Sequence, residues 1–120
     1  MNECSRNVRM QYTHILNGRY AGWYPDGRKK YEATYVNGKR EGLAITYYPN
    51  GKLAGQVIYR NDLRHGEYLK WHTNGILAKQ VRYVYGKREG VCRFWNLDGG
   101  RLADKFYVED EEVLPTATTS

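Results

Sequence analysis

Glycine recurs along this chain at intervals that alternate between 9 and 15 residues, so that the pattern repeats every 24 residues. The glycines in the pattern are Gly18, Gly27, Gly42, Gly51, Gly66, Gly75, Gly90 and Gly99. An aromatic residue also recurs every twelve positions, at Trp23, Tyr35, Tyr47, Tyr59, Trp71, Tyr83, Trp95 and Tyr107. Because the two patterns share a period, they predict a tandem array in which each unit is one supersecondary element stacked on its neighbours.

The array divides into four units of 24 residues, at 18–41, 42–65, 66–89 and 90–113. Residues 9–17 form a partial leading unit, so the predicted repeat domain covers residues 9–113. Residues 1–8 and 114–120 are predicted to be a flexible N-terminus and a flexible C-terminal tail. A chain of 120 residues has the size of one ordinary domain, which favours a single structural unit.

Each unit contains an Asn-Gly or Asp-Gly step, in the sequences YPDG, YPNG, HTNG and NLDG. Such steps favour positive φ angles in tight turns, and they predict β-hairpins that turn at residues 25–27, 49–51, 73–75 and 97–99. Pro25 and Pro49 fit the second position of a type I turn but not that of a type I′ turn, where φ is positive. We therefore expect three-residue loops, each a type I turn followed by a left-handed glycine.

A three-residue loop sets the cross-strand register, because it places Tyr48 opposite Lys52 and puts residues of equal parity on one face. That face is apolar, and it carries Leu43, Ile45, Tyr47, Leu53, Val57 and Tyr59 in one unit and Leu69, Trp71, Leu77, Val81 and Tyr83 in the next. The other face is polar, basic and amphipathic, so loss of Trp71 is expected to destabilise the fold more than loss of Tyr48. A two-residue loop would instead place the two aromatic columns on opposite faces.

The longer connections between hairpins read VNGKREG, RNDLRHG and VYGKREG, and their basic residues and glycines predict solvated loops. No segment of ten or more residues has the periodicity of an amphipathic helix. In the last unit, Gly100 looks like a one-residue insertion and the turn lacks proline. The predicted fold class is all-β: an elongated, single-layer antiparallel sheet of tandem 24-residue β-hairpin repeats.

The net charge of +6 is unevenly distributed, because Glu109, Asp110, Glu111 and Glu112 form an acidic cluster after the last basic residue. Residues 1–108 therefore carry 19 basic and 9 acidic groups, a net charge of +10. A body this basic attracts phosphates, anionic lipid or an acidic protein surface, and it also keeps a protein with exposed sheet edges soluble. No signal peptide or long apolar span is present in the sequence, which predicts an intracellular, cytoplasmic protein.

No group of residues in the sequence is typical of catalysis or of metal binding. His14, His65 and His72 have no neighbours at metal-ligand spacing, and Cys4 and Cys92 form no C-x-x-C motif, so we expect reduced cysteines. Carboxylates do not recur as pairs, and the glycines close turns rather than cradle phosphates. The protein is predicted not to be an enzyme and to use no cofactor, no metal and no small-molecule substrate.

The repeat resembles the variant MORN repeats, whose units combine an aromatic pair, Pro-Asn-Gly-Lys, a strand ending in Tyr, and Asn-Gly-Lys-Arg-x-Gly. The segments YYPNGKLAGQVIYRNDLRHG and YVNGKREG carry the likeness, which extends over residues 17–108 and is strongest from Tyr35 to Gly90. Proteins similar to these include bacterial antitoxins, proteins of large DNA viruses, and eukaryotic scaffold or membrane-associated modules. The resemblance therefore implies recognition, and it carries no catalytic residues over to this chain.

These observations favour a non-enzymatic module for protein–protein interaction or scaffolding. The alternatives are an antitoxin that neutralises a partner toxin by direct binding, and a basic peripheral module for anionic lipid or nucleic acid. A protein partner is expected, with a homodimer as a further option. The candidate contact residues, all placed on the polar face, are Tyr20, Tyr24, Tyr48, Arg60, Tyr68, Lys70, His72 and Arg82. The two aromatic columns are expected to be structural.

Overall fold

The computed structural model describes residues 15–114, and these residues form one open antiparallel β-sheet of eleven strands. The strands are β1 Gly18–Trp23, β2 Lys29–Val36, β3 Lys39–Arg40, β4 Gly42–Tyr47, β5 Leu53–Arg60, β6 Leu63–Trp71, β7 Leu77–Val84, β8 Lys87–Arg88, β9 Gly90–Phe94, β10 Lys105–Val108 and β11 Glu111–Val113. Each strand pairs with its neighbours along the chain and none crosses over, while β3 and β8 are short pairs at the side of the main path. The predicted all-β repeat fold is confirmed.

The turn within each hairpin is the predicted three-residue loop. In the second unit the amide of Gly51 donates to the carbonyl of Tyr48 at 2.8 Å, and the amide of Tyr48 donates to the carbonyl of Lys52 at 2.8 Å. Gly51 has a φ of 90°, a conformation that side chains disfavour. The same pattern of hydrogen bonds closes the turns at residues 25–27, 73–75 and 97–99. A type I turn followed by a left-handed glycine is therefore the repeated hairpin turn.

A β-bulge follows each of the first three turns, and it overturns the predicted assignment of faces. Tyr47 pairs with Leu53 but Thr46 pairs with Gly55, so Ala54 is an extra residue in its strand. Lys30 and Ala78 are the equivalent extra residues in the first and third hairpins. Beyond the bulge the register is shifted by one residue, and residues of unequal parity then share a face.

The bulges separate the two aromatic columns that were expected on a single apolar face. Trp23, Tyr47, Trp71 and Trp95 lie on one side, which we call the tryptophan face, together with Leu43, Ile45, Leu53, Leu69 and Leu77. Tyr35, Tyr59, Tyr83 and Tyr107 lie on the other side, which we call the tyrosine face, together with Tyr20, Tyr31, Tyr68, Val57 and Val81. The predicted grouping of Val57, Tyr59, Val81 and Tyr83 with Leu43 and Trp71 is wrong.

The connections between hairpins are tight turns rather than the predicted solvated loops. Asn37 and Gly38 have φ angles of 50° and 80°, and the strand continues at once as Lys39 pairs with Val36. The turns at residues 61–62, 85–86 and 109–110 have the same two positive φ angles. This geometry is that of the two-residue type I′ hairpin turn. Each unit therefore contains two hairpins of different turn type.

The small core lies on the tyrosine face. Val81 and Cys92 are the most deeply buried residues there, at 3% and 1% exposure, and they pack with Tyr107, Tyr68, Tyr83 and Phe94. Ala33 and Val57 continue the buried row towards the N-terminal units. Cys92 is a free cysteine, and burial raises the pKa of its thiol.

The fourth unit keeps the turn geometry of the others, which corrects one sequence-based expectation. Gly100 is not an insertion: the amide of Asn96 donates to its carbonyl at 2.9 Å, as His72 donates to Ile76 in the preceding unit. Strand pairing is nevertheless reduced to a single bridge, between Trp95 and Arg101. The predicted flexible segment 1–8, residues 9–14 of the leading unit, Cys4, His14 and residues 115–120 of the predicted tail lie outside the described residues.

Candidate interaction surface

Three of the candidate contact residues hold adjacent repeats together. The hydroxyl of Tyr24 donates to the carbonyl of Tyr47 at 2.6 Å, and the hydroxyl of Tyr48 donates to the carbonyl of Trp71 at 2.5 Å. In the next unit the Nε2 atom of His72 lies 2.9 Å from the carbonyl of Trp95. Each contact links a hairpin turn to the next unit, so this column has a structural role that the sequence did not reveal.

A second ladder connects the type I′ turns. Glu41, His65 and Glu89 occupy one repeat position, and each accepts a hydrogen bond from the first amide of the next turn, at Asn61, Tyr85 and Glu109 respectively. The Nδ1 atom of His65 is the acceptor, at 3.0 Å, and the ring lies 4.1 Å from that of Tyr85. His65 is thus not a free loop residue but the counterpart of the two glutamates.

An arginine column runs along the same edge of the tyrosine face. Arg40 and Arg88 each donate from Nε to a turn carboxylate, Asp62 or Asp110, at 2.6 Å. These hydrogen bonds lower the pKa of both aspartates below the ordinary range. The guanidinium groups also lie 4.2 Å and 4.1 Å from the ring centroids of Tyr59 and Tyr107.

Arg64 is the member of this column with a different environment. The position of its carboxylate partner is taken by Gly86, and the Nη1 atom of Arg64 donates instead to the hydroxyl of Tyr83 at 3.1 Å. Within residues 15–114 it forms no ion pair. Its charge is therefore oriented by tyrosine without being neutralised.

A groove opens on the tyrosine face where the second and third units meet. It encloses about 300 Å³, and it is lined by residues that include Tyr31, Tyr35, Thr46, Gly55, Tyr59, Arg64, Tyr68 and Lys70. A second depression of about 210 Å³ continues it across β7, β9 and β10, and its lining includes Lys79, Tyr83, Phe94 and Lys105. The groove thus crosses the strands and is walled by tyrosines and cations.

Three cations surround Tyr68 in this groove, and we call them the cationic cluster: Arg64, Lys70 and Lys79. Lys70 and Lys79 are direct cross-strand partners on one face. The Nζ atom of Lys79 lies 5.7 Å from the ring centroid of Tyr68, and the Cζ atom of Arg64 lies 5.4 Å from it. No described carboxylate oxygen lies within 4 Å of any of the three charged groups.

The tryptophan face is different in charge and packing. Arg19 and Lys29 both pair with Glu32, whose pKa is lowered chiefly by the hydrogen bond from Lys29. Glu32 also accepts from the hydroxyl of Tyr47 at 3.2 Å, and burial raises the pKa of that tyrosine. Trp23 is 60% exposed. Charges on this face are therefore largely matched within the chain.

The candidate contact residues do not form the single surface that the sequence predicted. Tyr20, Tyr68 and Lys70 lie on the tyrosine face, whereas Arg60 and Arg82 point to the tryptophan face beyond the bulges. Sequence reasoning missed Arg64 and Lys79. The available signal was the arginine repeated at positions 40, 64 and 88, together with the exchange of Asp62 and Asp110 for Gly86.

Two searches of residues 15–114 bear on other kinds of site. No group of three or more His, Cys, Asp or Glu side chains is arranged there to hold a metal ion. The same residues include no helix with the length and apolar character needed to cross a membrane.

The geometry defines a class of repeat protein: an open single-layer sheet built from tandem hairpin pairs that are joined by side-chain ladders. The family model described as the MORN repeat variant matches residues 16–37, 40–61 and 64–85, together 66 of the 120 residues. The chain belongs to this family. The fourth unit, which has the weakest strand pairing, lies outside the matched segments. A search of curated proteins finds no match.

Proposed function

We propose that the protein is a non-enzymatic interaction module that binds another protein through its tyrosine face. The observation that carries this proposal is the groove across β2 to β10, where tyrosines line the walls and the charges of Arg64, Lys70 and Lys79 have no carboxylate partner within residues 15–114. Tyrosine and arginine are enriched where proteins bind one another with high affinity. MORN repeats as a class are interaction modules, which supports the same role.

The surface also has the physical form that recognition requires. The rigid ladders hold the side chains in place before a partner arrives, so binding costs little ordering of the site. The chain repeats no pair of acid and base groups within the described part, which is the reason for proposing binding rather than catalysis.

The test is photo-crosslinking in the cell that makes the protein. Benzoylphenylalanine is introduced at Thr46, an exposed position in the groove, and in a matched variant at Arg82, an exposed position on the tryptophan face. We expect Thr46 to give a discrete protein adduct that Arg82 does not give. Protein adducts from Arg82 alone would contradict the proposal.

The same experiment separates the other roles that the sequence raised. An antitoxin would be recognised by the identity of its adduct as a toxin, and a scaffold by an adduct with a structural or signalling protein. An adduct of twice the chain mass would indicate a homodimer. Adducts only with lipid or nucleic acid would establish the basic peripheral module in place of protein recognition.

A further inference from the structure

We propose that the cationic cluster of Arg64, Lys70 and Lys79 binds an extended, carboxylate-rich segment of the partner protein; this inference rests on the proposed function. The first observation is the pairing of two lysines. Lys70 and Lys79 stand directly opposite each other on adjacent strands of the same face. Like charges in this arrangement destabilise a sheet, so the pair is best explained by an anion that neutralises it when bound.

The second observation is that neutral groups hold the cations in place. Lys70 Nζ lies 3.5 Å from the hydroxyl of Tyr48, Lys79 lies over the ring of Tyr68, and Arg64 donates to the hydroxyl of Tyr83. These contacts orient the charges without cancelling them. Elsewhere on the tyrosine face, Arg40 and Arg88 are already neutralised by Asp62 and Asp110.

The third observation is the space next to the cluster. Lys70 is paired on its other side with Gly55, which has no side chain, and both residues line the groove. The groove continues to Lys105 on β10, three strand spacings from β6, a distance of roughly 14 Å. About four residues of an extended chain span that distance. A peptide lying across the strands can therefore reach the cluster and Lys105 together.

The surroundings favour a carboxylate-bearing polypeptide over nucleic acid or a lipid surface. Single-stranded nucleic acid binds by stacking bases on open aromatic rings, but cations lie over the rings of Tyr48, Tyr68 and Tyr83. Lys70 and Lys79 are half-buried within the groove, where a single chain reaches them more readily than a planar membrane. The acidic turn of a second copy is a poorer match, because its Glu109 and Asp110 already pair with Lys87 and Arg88.

The experiment measures the binding of the full chain to a fluorescent peptide in which glutamate alternates with serine. A peptide of equal length with glutamine in place of glutamate is the ligand control. The protein variants are Lys70→Gln with Lys79→Gln, and Arg60→Gln with Arg82→Gln, which removes the same charge from the opposite face. We expect the lysine pair to weaken binding at least tenfold, the arginine pair less than threefold, and the glutamine peptide not to bind.

A structural role for the lysines is tested separately. Lys70→Gln with Lys79→Gln should melt at the same or a higher temperature than the parent, because removal of either charge relieves repulsion, and Lys70→Arg with Lys79→Arg should retain binding. A lower melting temperature together with lost binding, or equal weakening by the lysine and arginine pairs, would overturn the inference. So would displacement of the peptide by oligothymidine or by phosphatidylserine vesicles at lower concentration than by unlabelled peptide. If the glutamate peptide does not bind while Thr46 still gives a protein adduct, the acidic segment is rejected and protein recognition stands.

Discussion

At the scale of single residues, the side chains that most resemble contact residues in the sequence are those that join the repeats. Tyr24, Tyr48 and His72 lie at one repeat position and reach the same backbone carbonyl of the following unit. Histidine can replace tyrosine here because both place a polar atom at the end of a ring. The position therefore selects for reach and hydrogen bonding rather than for one residue type.

The ladder predicts a stability effect for Tyr48→Phe. This change removes only the hydroxyl that donates to Trp71, and it leaves that carbonyl without its partner, so we expect a loss of about 1 kcal/mol in the free energy of unfolding. Tyr20→Phe is the control, because Tyr20 lies on the same face and its hydroxyl makes no hydrogen bond within residues 15–114. Urea melts give the comparison, and equal losses from both changes would show that the Tyr48 hydroxyl does not stabilise the fold.

The aspartates of the turns predict a dependence of stability on pH. The folded protein lowers the pKa of Asp62 and Asp110 through hydrogen bonds from Arg40 and Arg88. Their stabilising contribution is therefore complete above the ordinary aspartate pKa of about 3.9 and is lost as the pH falls through the lowered value. Asp62→Asn with Asp110→Asn should reduce stability near neutral pH, and the difference from the parent should shrink below about pH 3.

The control for this pH effect is Asp98→Asn, because Asp98 makes no ion pair among the described residues. Chemical denaturation across the acid range is the measurement. A difference between parent and double variant that stays constant down to the lowest pH would contradict the ion-pair explanation.

At the scale of the strand and turn, the sequence predicted the type I turn with its left-handed glycine but not the bulge beside it. Proline and Asn-Gly identify the turn, because each restricts the backbone at a known position. Ala54 carries no such signal, since alanine in a bulge looks like any small residue of a strand. One extra residue then moved Val57 and Tyr59 to the face opposite Leu43.

The same bulge explains why the candidate site was only partly predictable. Tyr68 and Lys70 precede the third turn and were assigned to the correct surface, whereas Arg60 and Arg82 follow a bulge and were not. Lys79 was missed for the same reason. Trp71, expected inside a core, is half-buried, so its truncation is now expected to cost less than that of a fully buried tryptophan.

The turn glycine predicts a second effect on stability. Gly51 has a φ of 90° and open space where a Cβ would lie, so Gly51→Ala adds backbone strain without a clash. We expect a loss of about 1 kcal/mol in the free energy of unfolding. Lys52→Ala, one residue further along and exposed, is the control and should be nearly neutral. A neutral Gly51→Ala would indicate that the turn relaxes to another type.

At the scale of the whole molecule, the sheet has no layer packed against it within the described residues, and its order comes from contacts between neighbouring strands. The ladders and the buried row make each unit depend on the next one. At the C-terminal end these features stop: Glu112 stands at the arginine position and Val113 at that of Glu89. Both substitutions remove a group that would hold a further repeat.

This arrangement predicts a gradient of local stability along the chain. The amides of β5, β6 and β7 have a paired strand on both sides and the buried Val57 and Val81 beneath them, whereas β11 is a three-residue strand that pairs on one side only. We expect hydrogen exchange at β5 to β7 to be slower than at β11 by about tenfold or more, because local opening of a terminal strand disrupts fewer contacts. Exchange measured by mass spectrometry on peptides from each strand tests this, and Val81→Ala should accelerate exchange in β6, β7 and β9 more than in β1. Uniform exchange along the sheet, equally affected by Val81→Ala at every strand, would mean that the protein unfolds as one cooperative unit and not by stepwise loss of repeats.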